Sequence, residues 1–203
     1  MNKKAMGGAG IALICIGIVV FLLIISTIGA YNGLVSSDED VQQKWGNVES
    51  AYQRRADLIP NLIETVKGYA KHEKSTLTEL TELRSQVGKA QTGYSNADNP
   101  QELQQADASM NSALSRLLVI VENYPDLKAN QNFLAFQDQL EGTENRIKYE
   151  RDEYNNAVKF YRTKVRRFPT NMVAGMFGFD RNEYDTFKAD EGSDKAPKVN
   201  FEI

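Results

Sequence analysis

Cysteine and histidine are almost missing from this 203-residue chain, which carries Cys15 and His72 and no others. Cys15 lies inside an apolar run, so the rest of the chain has no thiol for a disulfide or a cysteine nucleophile. One histidine cannot build the usual zinc sites or serve a Ser/His/Asp arrangement alongside a second role. An excess of positive charge is missing too. Leaving out Lys3 and Lys4, the 24 basic residues fall to 22 against 27 acidic, a balance of −5 that offers no electrostatic footprint for nucleic acid. No segment alternates with period two for long enough to argue a strand, so no glycine-rich loop sits between a strand and a helix to cradle phosphate. The sets of catalytic, cofactor-binding and metal-ligating residues are therefore expected to be empty.

What is present begins with the uncharged run Ala9 to Ala30. Its length at ~1.5 Å of rise per residue gives roughly 33 Å, enough to cross a hydrocarbon core. A secretory signal would have a shorter apolar region with a small-x-small exit, and Cys15 lacks the small neighbours of a lipidation site. The run is read as a retained single-pass anchor in residues 1–35. Lys3 and Lys4 hold the amino terminus in the cytoplasm, so the rest of the chain is expected outside the inner (plasma) membrane of a bacterium, in a periplasm or at the cell surface.

After the anchor, apolar residues recur at helical spacing. Val41, Trp45, Val48, Tyr52 and Ile59 form one stripe, with Ser37 and the acids Asp38, Glu39 and Asp40 suited to opening it. Leu62 to Val87 form a second stripe, ended by the breaker-rich loop Thr92 to Pro100. Leu103 to Val121 form a third, and a final long helix capped by Asp126 runs to Pro169. The fold class is all-α, an antiparallel up-and-down helical bundle over residues 36–180, with coiled-coil character. Pro60 either starts a helix, giving four, or kinks one that continues through it, giving a three-helix hairpin on a stalk continuous with the anchor. The four-helix arrangement is favoured, because helices of similar length bury their stripes best against antiparallel neighbours. Residues 181–203 read as a polar, mobile tail ending in apolar Phe201 and Ile203, either a short PDZ-type ligand or an end that docks on its own bundle.

Two polar stripes stand out. Arg54, Asp57, Asn61 and Glu64 lie three and four apart around Pro60, and Glu141, Glu144, Lys148, Arg151 and Asn155 do so on the last helix; the candidate cluster is Arg54, Asp57, Asn61, Glu64, Glu141 and Glu144 with Asn145 and Arg146. They are either interhelix pairs fixing register or a groove for a partner segment. The strap Met172 to Phe179 has a similar fork. Val173, Met176, Phe177 and Phe179 either plug the end of the bundle or touch lipid. His72-Glu73 resembles the start of a zinc motif, but Ser75 and Thr76 stand where the second histidine would be needed, so a solvated histidine is the reading. Glu141 and Glu144 share a face, yet a carboxylate-bridged metal site needs more histidine than the chain has.

The segments YNGLV, RRADLIPNLIETVKGYAKHE, LVIVENYPDLKANQNFL, LEGTENRIKYERDEYNNAV and FPTNMVAGMFGF, in this order and spacing, resemble the LemA family. The resemblance implies a single-pass bacterial membrane protein with a helical bundle, and no reaction or catalytic residue. It also implies genes that neighbour those of envelope proteins and membrane metalloproteases, with one branch linked to magnetosome membranes. The expected function is a membrane-anchored scaffold or adaptor of the cell envelope, with no cofactor. Its expected partners are the bilayer, envelope proteins including a membrane protease, and further copies of itself. The alternatives are a lipid-surface organiser acting through 172–179 and a carboxylate-based hydrolase or metal enzyme.

Overall fold

The structure, a computed structural model, describes residues 3–70 and 73–188, with side chains from residue 10 onward. The described residues form helices and no strand: α1 (Lys3–Tyr69), α2 (Lys74–Ser95), α3 (Pro100–Val121), the single turn α4 (Pro125–Lys128), α5 (Gln131–Arg166) and α6 (Thr170–Phe177). The all-α class, with an apolar amino-terminal helix leading into an up-and-down bundle, is the one expected.

α1 changes character along its length. Its apolar part reaches a mean hydropathy of 3.1 with no residue of that window buried, and it is long and apolar enough to cross a membrane. Farther along, Leu34, Val41, Val48, Arg55 and Leu62 are buried seven residues apart, and so are Tyr52, Ile59 and Val66. Alternating steps of three and four are the seam of a coiled coil. Ser37 does not open a helix as expected. It lies inside α1, where its Oγ donates to the carbonyl of Leu34 at 2.8 Å. Helix already precedes it, so there are no orphan amides for it to cap.

The favoured reading of Pro60 as a helix start is also corrected, because Pro60 lies within α1. Proline forfeits one backbone hydrogen bond there. Ile59, Leu62, Ile63 and Val66 are all buried around it, so the packed seam continues across the weak point. The long last helix is interrupted instead. Asp126 belongs to α4, and Asn130 caps α5, its Oδ1 accepting from the amides of Asn132 at 2.9 Å and Phe133 at 3.3 Å. α3 begins with Asn99 accepting from the Glu102 amide at 3.0 Å while Glu102 accepts from the Asp98 amide at 2.9 Å, with Pro100 in the first turn.

The chain forms two compact units, and α1 and α5 each contribute to both. One comprises Met1–Asn47 with Asn156–Tyr184. Its core holds Leu34, Val41, Val158, Tyr161, Val173 and Ala174. Lys164 donates to the carbonyl of Gly33 at 2.6 Å, Tyr161 donates to Glu183 at 2.6 Å, and Tyr184 donates to Asp38 at 2.6 Å. Gly178, at φ +84°, ends α6 in the left-handed conformation that glycine alone adopts cheaply.

The other unit comprises Val48–Asn155 with Asp185–Ile203 and contains the bundle of distal α1, α2, α3, α4 and the first part of α5. Leu80, Leu83, Leu103, Met110, Phe133 and Ile147 lie in its core. α2 and α3 approach closely at Gly93, where an added Cβ would stand 2.8 Å from that of Ala106. Part of the segment expected to be a mobile tail, from Asp185 to Lys188, is held in this unit. Phe187 is buried against Tyr154, its amide donates to Asn155 Oδ1 at 2.9 Å, and Arg151 lies over its ring at 4.9 Å. The terminal residues Phe201 and Ile203, and His72, lie outside the described residues.

Candidate functional site

The heptad seam of α1 places Arg55 where an apolar residue would ordinarily stand, and the residue is 1% exposed. A charge there must find partners on the facing helices. α3 supplies Asp107, 2.6 Å from Arg55, and Asn111, whose side-chain oxygen accepts at 2.7 Å. α5 supplies Glu144, which pairs with the other arm of the guanidinium. α2 supplies Tyr94, whose hydroxyl donates to Asp107 at 2.9 Å. Three helices of one unit therefore meet on one cation, and α2 joins them through Asp107. The Tyr52 ring lies tilted against that of Tyr94 at 5.1 Å, and its hydroxyl and Arg55 Nε are buried without a hydrogen-bond partner among the described residues.

Burial alone would pull Arg55 toward the neutral form, but Asp107, Tyr94 and Glu144 reverse this and leave it more basic than usual. Burial pushes the Asp107 carboxyl upward against the opposing pull of Arg55 and Tyr94. Burial likewise raises both Tyr52 and Tyr94, and the neighbouring Asp107 raises them further.

The two sequence stripes distribute over several places. Arg54, Asp57, Asn61 and Glu64 are exposed on α1. Asp57 accepts from Gln53 at 2.8 Å and from Gln91 of α2 at 3.1 Å, while Asn61 donates to the Asp57 carbonyl at 3.3 Å. Glu64 pairs with Arg84 of α2, and with Lys67 at 3.6 Å. On α5, Glu141 and Asn145 are exposed, and Arg146 pairs with buried Glu150 at 2.6 Å. Only Glu144 joins the buried centre. Arg55, Tyr94, Asp107 and Asn111 were missed, although Arg55 falls three residues after Tyr52 and four before Ile59, in the middle of the stripe.

Arg54 and Asp57 instead line an open groove of about 540 Å³ with Glu49, Gln53, Tyr94 and Ser95. Tyr94 thus edges the groove while its hydroxyl reaches Asp107. In the strap, Val173 is buried and Phe179 half-buried, whereas Met176 and Phe177 are exposed. Among the described residues, no three His, Cys, Asp or Glu side chains are grouped to hold a metal ion.

A family model described as the LemA family matches residues 44–201. The magnetosome protein MamQ 2 of Paramagnetospirillum magneticum is 28% identical over 193 residues, which is 85% of this chain and 71% of that protein. The magnetosome protein MamQ of Magnetospirillum gryphiswaldense is 28% identical over 173 residues, 76% of this chain and 64% of that protein. Protein LemA of Metamycoplasma hominis is 27% identical over 162 residues, 80% of this chain and 69% of that protein.

Proposed function

The chain belongs to the LemA family, and from that premise we propose that it is a membrane-anchored scaffold whose helical bundle receives a segment of an envelope protein, without performing a reaction. The observation that carries this reading is the open groove holding Arg54 and Asp57, beside a buried charge centre that ties four helices together. The groove presents both signs of charge and an aromatic edge, which suits an extended peptide bearing charged and polar side chains. Two relatives are named for a cellular structure, the magnetosome, and this favours organisation over catalysis. The membrane is a bacterial inner membrane. Lys3 and Lys4 keep the amino terminus in the cytoplasm, so the bundle faces the periplasm or the exterior.

The test is a photoreactive residue placed at Ser95, in the groove, or at exposed Glu122, outside it, in full-length protein in living cells. Adducts to envelope proteins, a membrane protease among them, are expected from Ser95 alone and should be lost on adding Asp57→Lys. Equal yields from both positions would refute the groove. Adducts only to further copies of the chain would replace the adaptor with self-assembly.

A further inference from the structure

The unit that contains the apolar span carries a second apolar surface. Phe168 is 75% exposed, Met172 62%, Met176 75% and Phe177 55%. Met172 and Met176 lie one helical turn apart on α6, whose opposite side is buried through Val173 and Ala174. A patch of this kind is costly in water and marks a contact surface.

Its position identifies what covers it. Phe177 packs on Tyr31 at 4.8 Å, and Phe179 lies 6.0 Å from the same ring. Tyr31 is the first residue after the apolar run, where aromatic side chains occupy the membrane–water boundary. The Lys164–Gly33 hydrogen bond holds the end of α5 at the same level. Arg166 and Arg167 are exposed where α5 ends, and Lys159, Phe160, Lys164 and Arg167 line a groove of about 320 Å³. The acids Asp38, Glu39 and Asp40 follow Tyr31 by seven to nine residues, about 10 Å or more along α1. Glu39 and Asp40 border a neighbouring hollow that also includes Lys164, so the cations left for a surface are chiefly Lys159, Arg166 and Arg167.

We propose that α6 and the end of α5 lie in the bilayer interface beside the span, with Phe168, Met172, Met176 and Phe177 among the upper acyl chains and Arg166 and Arg167 on anionic headgroups. This is the arrangement of an interfacial helix, with apolar residues on one side and cations along its border. The proposal rests on α1 crossing a bilayer and is independent of the peptide groove.

The experiment uses full-length Cys15→Ser protein in phosphatidylcholine vesicles, with or without phosphatidylglycerol. A fluorophore is attached through Val20→Cys, Met172→Cys, Met176→Cys or Ser95→Cys, and lipid-borne quenchers are placed at shallow or deep positions. Fluorescence at 172 and 176 is expected to be lost to the shallow quencher, at 20 to the deep one, and at 95 to neither. If 20 is quenched while 172 and 176 behave like 95, the interfacial surface is refuted and the span stands. If 20 is unquenched, the span falls and takes this proposal with it. Arg166→Gln with Arg167→Gln should lower the docked-to-free ratio in phosphatidylglycerol vesicles by about fivefold per charge. Equal wild-type quenching in the two vesicle types would refute the headgroup contact.

Discussion

Arg54 and Arg55 are adjacent in the chain and differ in environment: the first lies on the surface and lines the groove, the second is buried among Asp107, Asn111 and Glu144. Glu144 keeps 62% of its side chain in solvent, so it loses little when the pair is broken, whereas Asp107 at 14% would be left as a nearly dry, uncompensated carboxylate. Arg55→Ala is therefore expected to cost about 3 kcal/mol or more, and Arg54→Ala to stay within about 0.5 kcal/mol. Urea unfolding of the full chain in detergent, followed by helix circular dichroism, compares them. Similar small losses for both would remove the register role of Arg55. The tyrosines add a pH signature. Burial raises Tyr52 and Tyr94 above the ordinary phenol value of 10.0. The stability they contribute is complete below that value and is lost as pH rises toward their native values, because the unfolded chain gives up its protons first. Each then removes about 1.4 kcal/mol per pH unit. The share of tyrosinate absorbance that Tyr94→Phe removes should appear only as helix is lost in an alkaline titration. Tyrosinate formed from Tyr94 in an intact bundle would contradict its burial.

The hairpin of α2 and α3 turns on the size of one residue. Gly93 faces Ala106 so closely that a Cβ would stand at 2.8 Å, whereas Gly88, five residues earlier on α2, has open space around it. Alanine at either position gains up to about 1 kcal/mol of helix propensity. At Gly93 that gain meets an overpacking cost of about 1–3 kcal/mol. Gly88→Ala is thus expected to raise the melting temperature and Gly93→Ala to lower it, with Ala106→Gly restoring the second. If both substitutions stabilise, the close approach is absent. Part of this element structure was legible in the sequence, because the stripes along α1 and α3 follow burial, whereas Leu62 to Val87, expected as one stripe, divides between the end of α1, where Tyr69 is exposed, and α2, which begins at Lys74. Pro60 misled because a local rule about proline was weighed without the packing of Ile59, Leu62, Ile63 and Val66 around it. Asp126 misled because Asn130, four residues on, could cap equally well, and which carbonyl meets a free amide depends on where α4 stops. Arg55 was passed over because a stripe is read by its apolar members. The exposed arginine and acids of the first polar stripe give the more visible pattern.

At the scale of the molecule, charge and apolarity are segregated along the chain. The span has no charge, two lysines precede it, and the acidic excess follows it. The single cysteine also lies in the span, so Cys15→Ser leaves a thiol-free chain in which any new cysteine reports its own side of the membrane. Two basic residues are a small bias, but the segment that begins Ser36, Ser37, Asp38, Glu39, Asp40 contains no lysine or arginine until Lys44. Acidic residues contribute little to orientation, so in the proposed topology the absence of nearby positive charge after the apolar run leaves the orientation to Lys3 and Lys4. A cysteine at exposed Ser95 is therefore expected to react with a membrane-impermeant maleimide in spheroplasts, while one at Asn2 reacts only after lysis. Moving the bias should move the topology. Lys3→Gln with Lys4→Gln, combined with Ser36→Lys and Glu39→Lys, is expected to send a fraction of chains in with the bundle cytoplasmic, giving Ser95 two populations. Labelling of Asn2 before lysis in the unmodified background would place the amino terminus outside and the groove in the cytoplasm, where the partners to be sought are cytoplasmic proteins. The bilayer contact of α6 would survive that reversal, because it depends on Tyr31 marking a membrane boundary and not on which compartment lies beyond it.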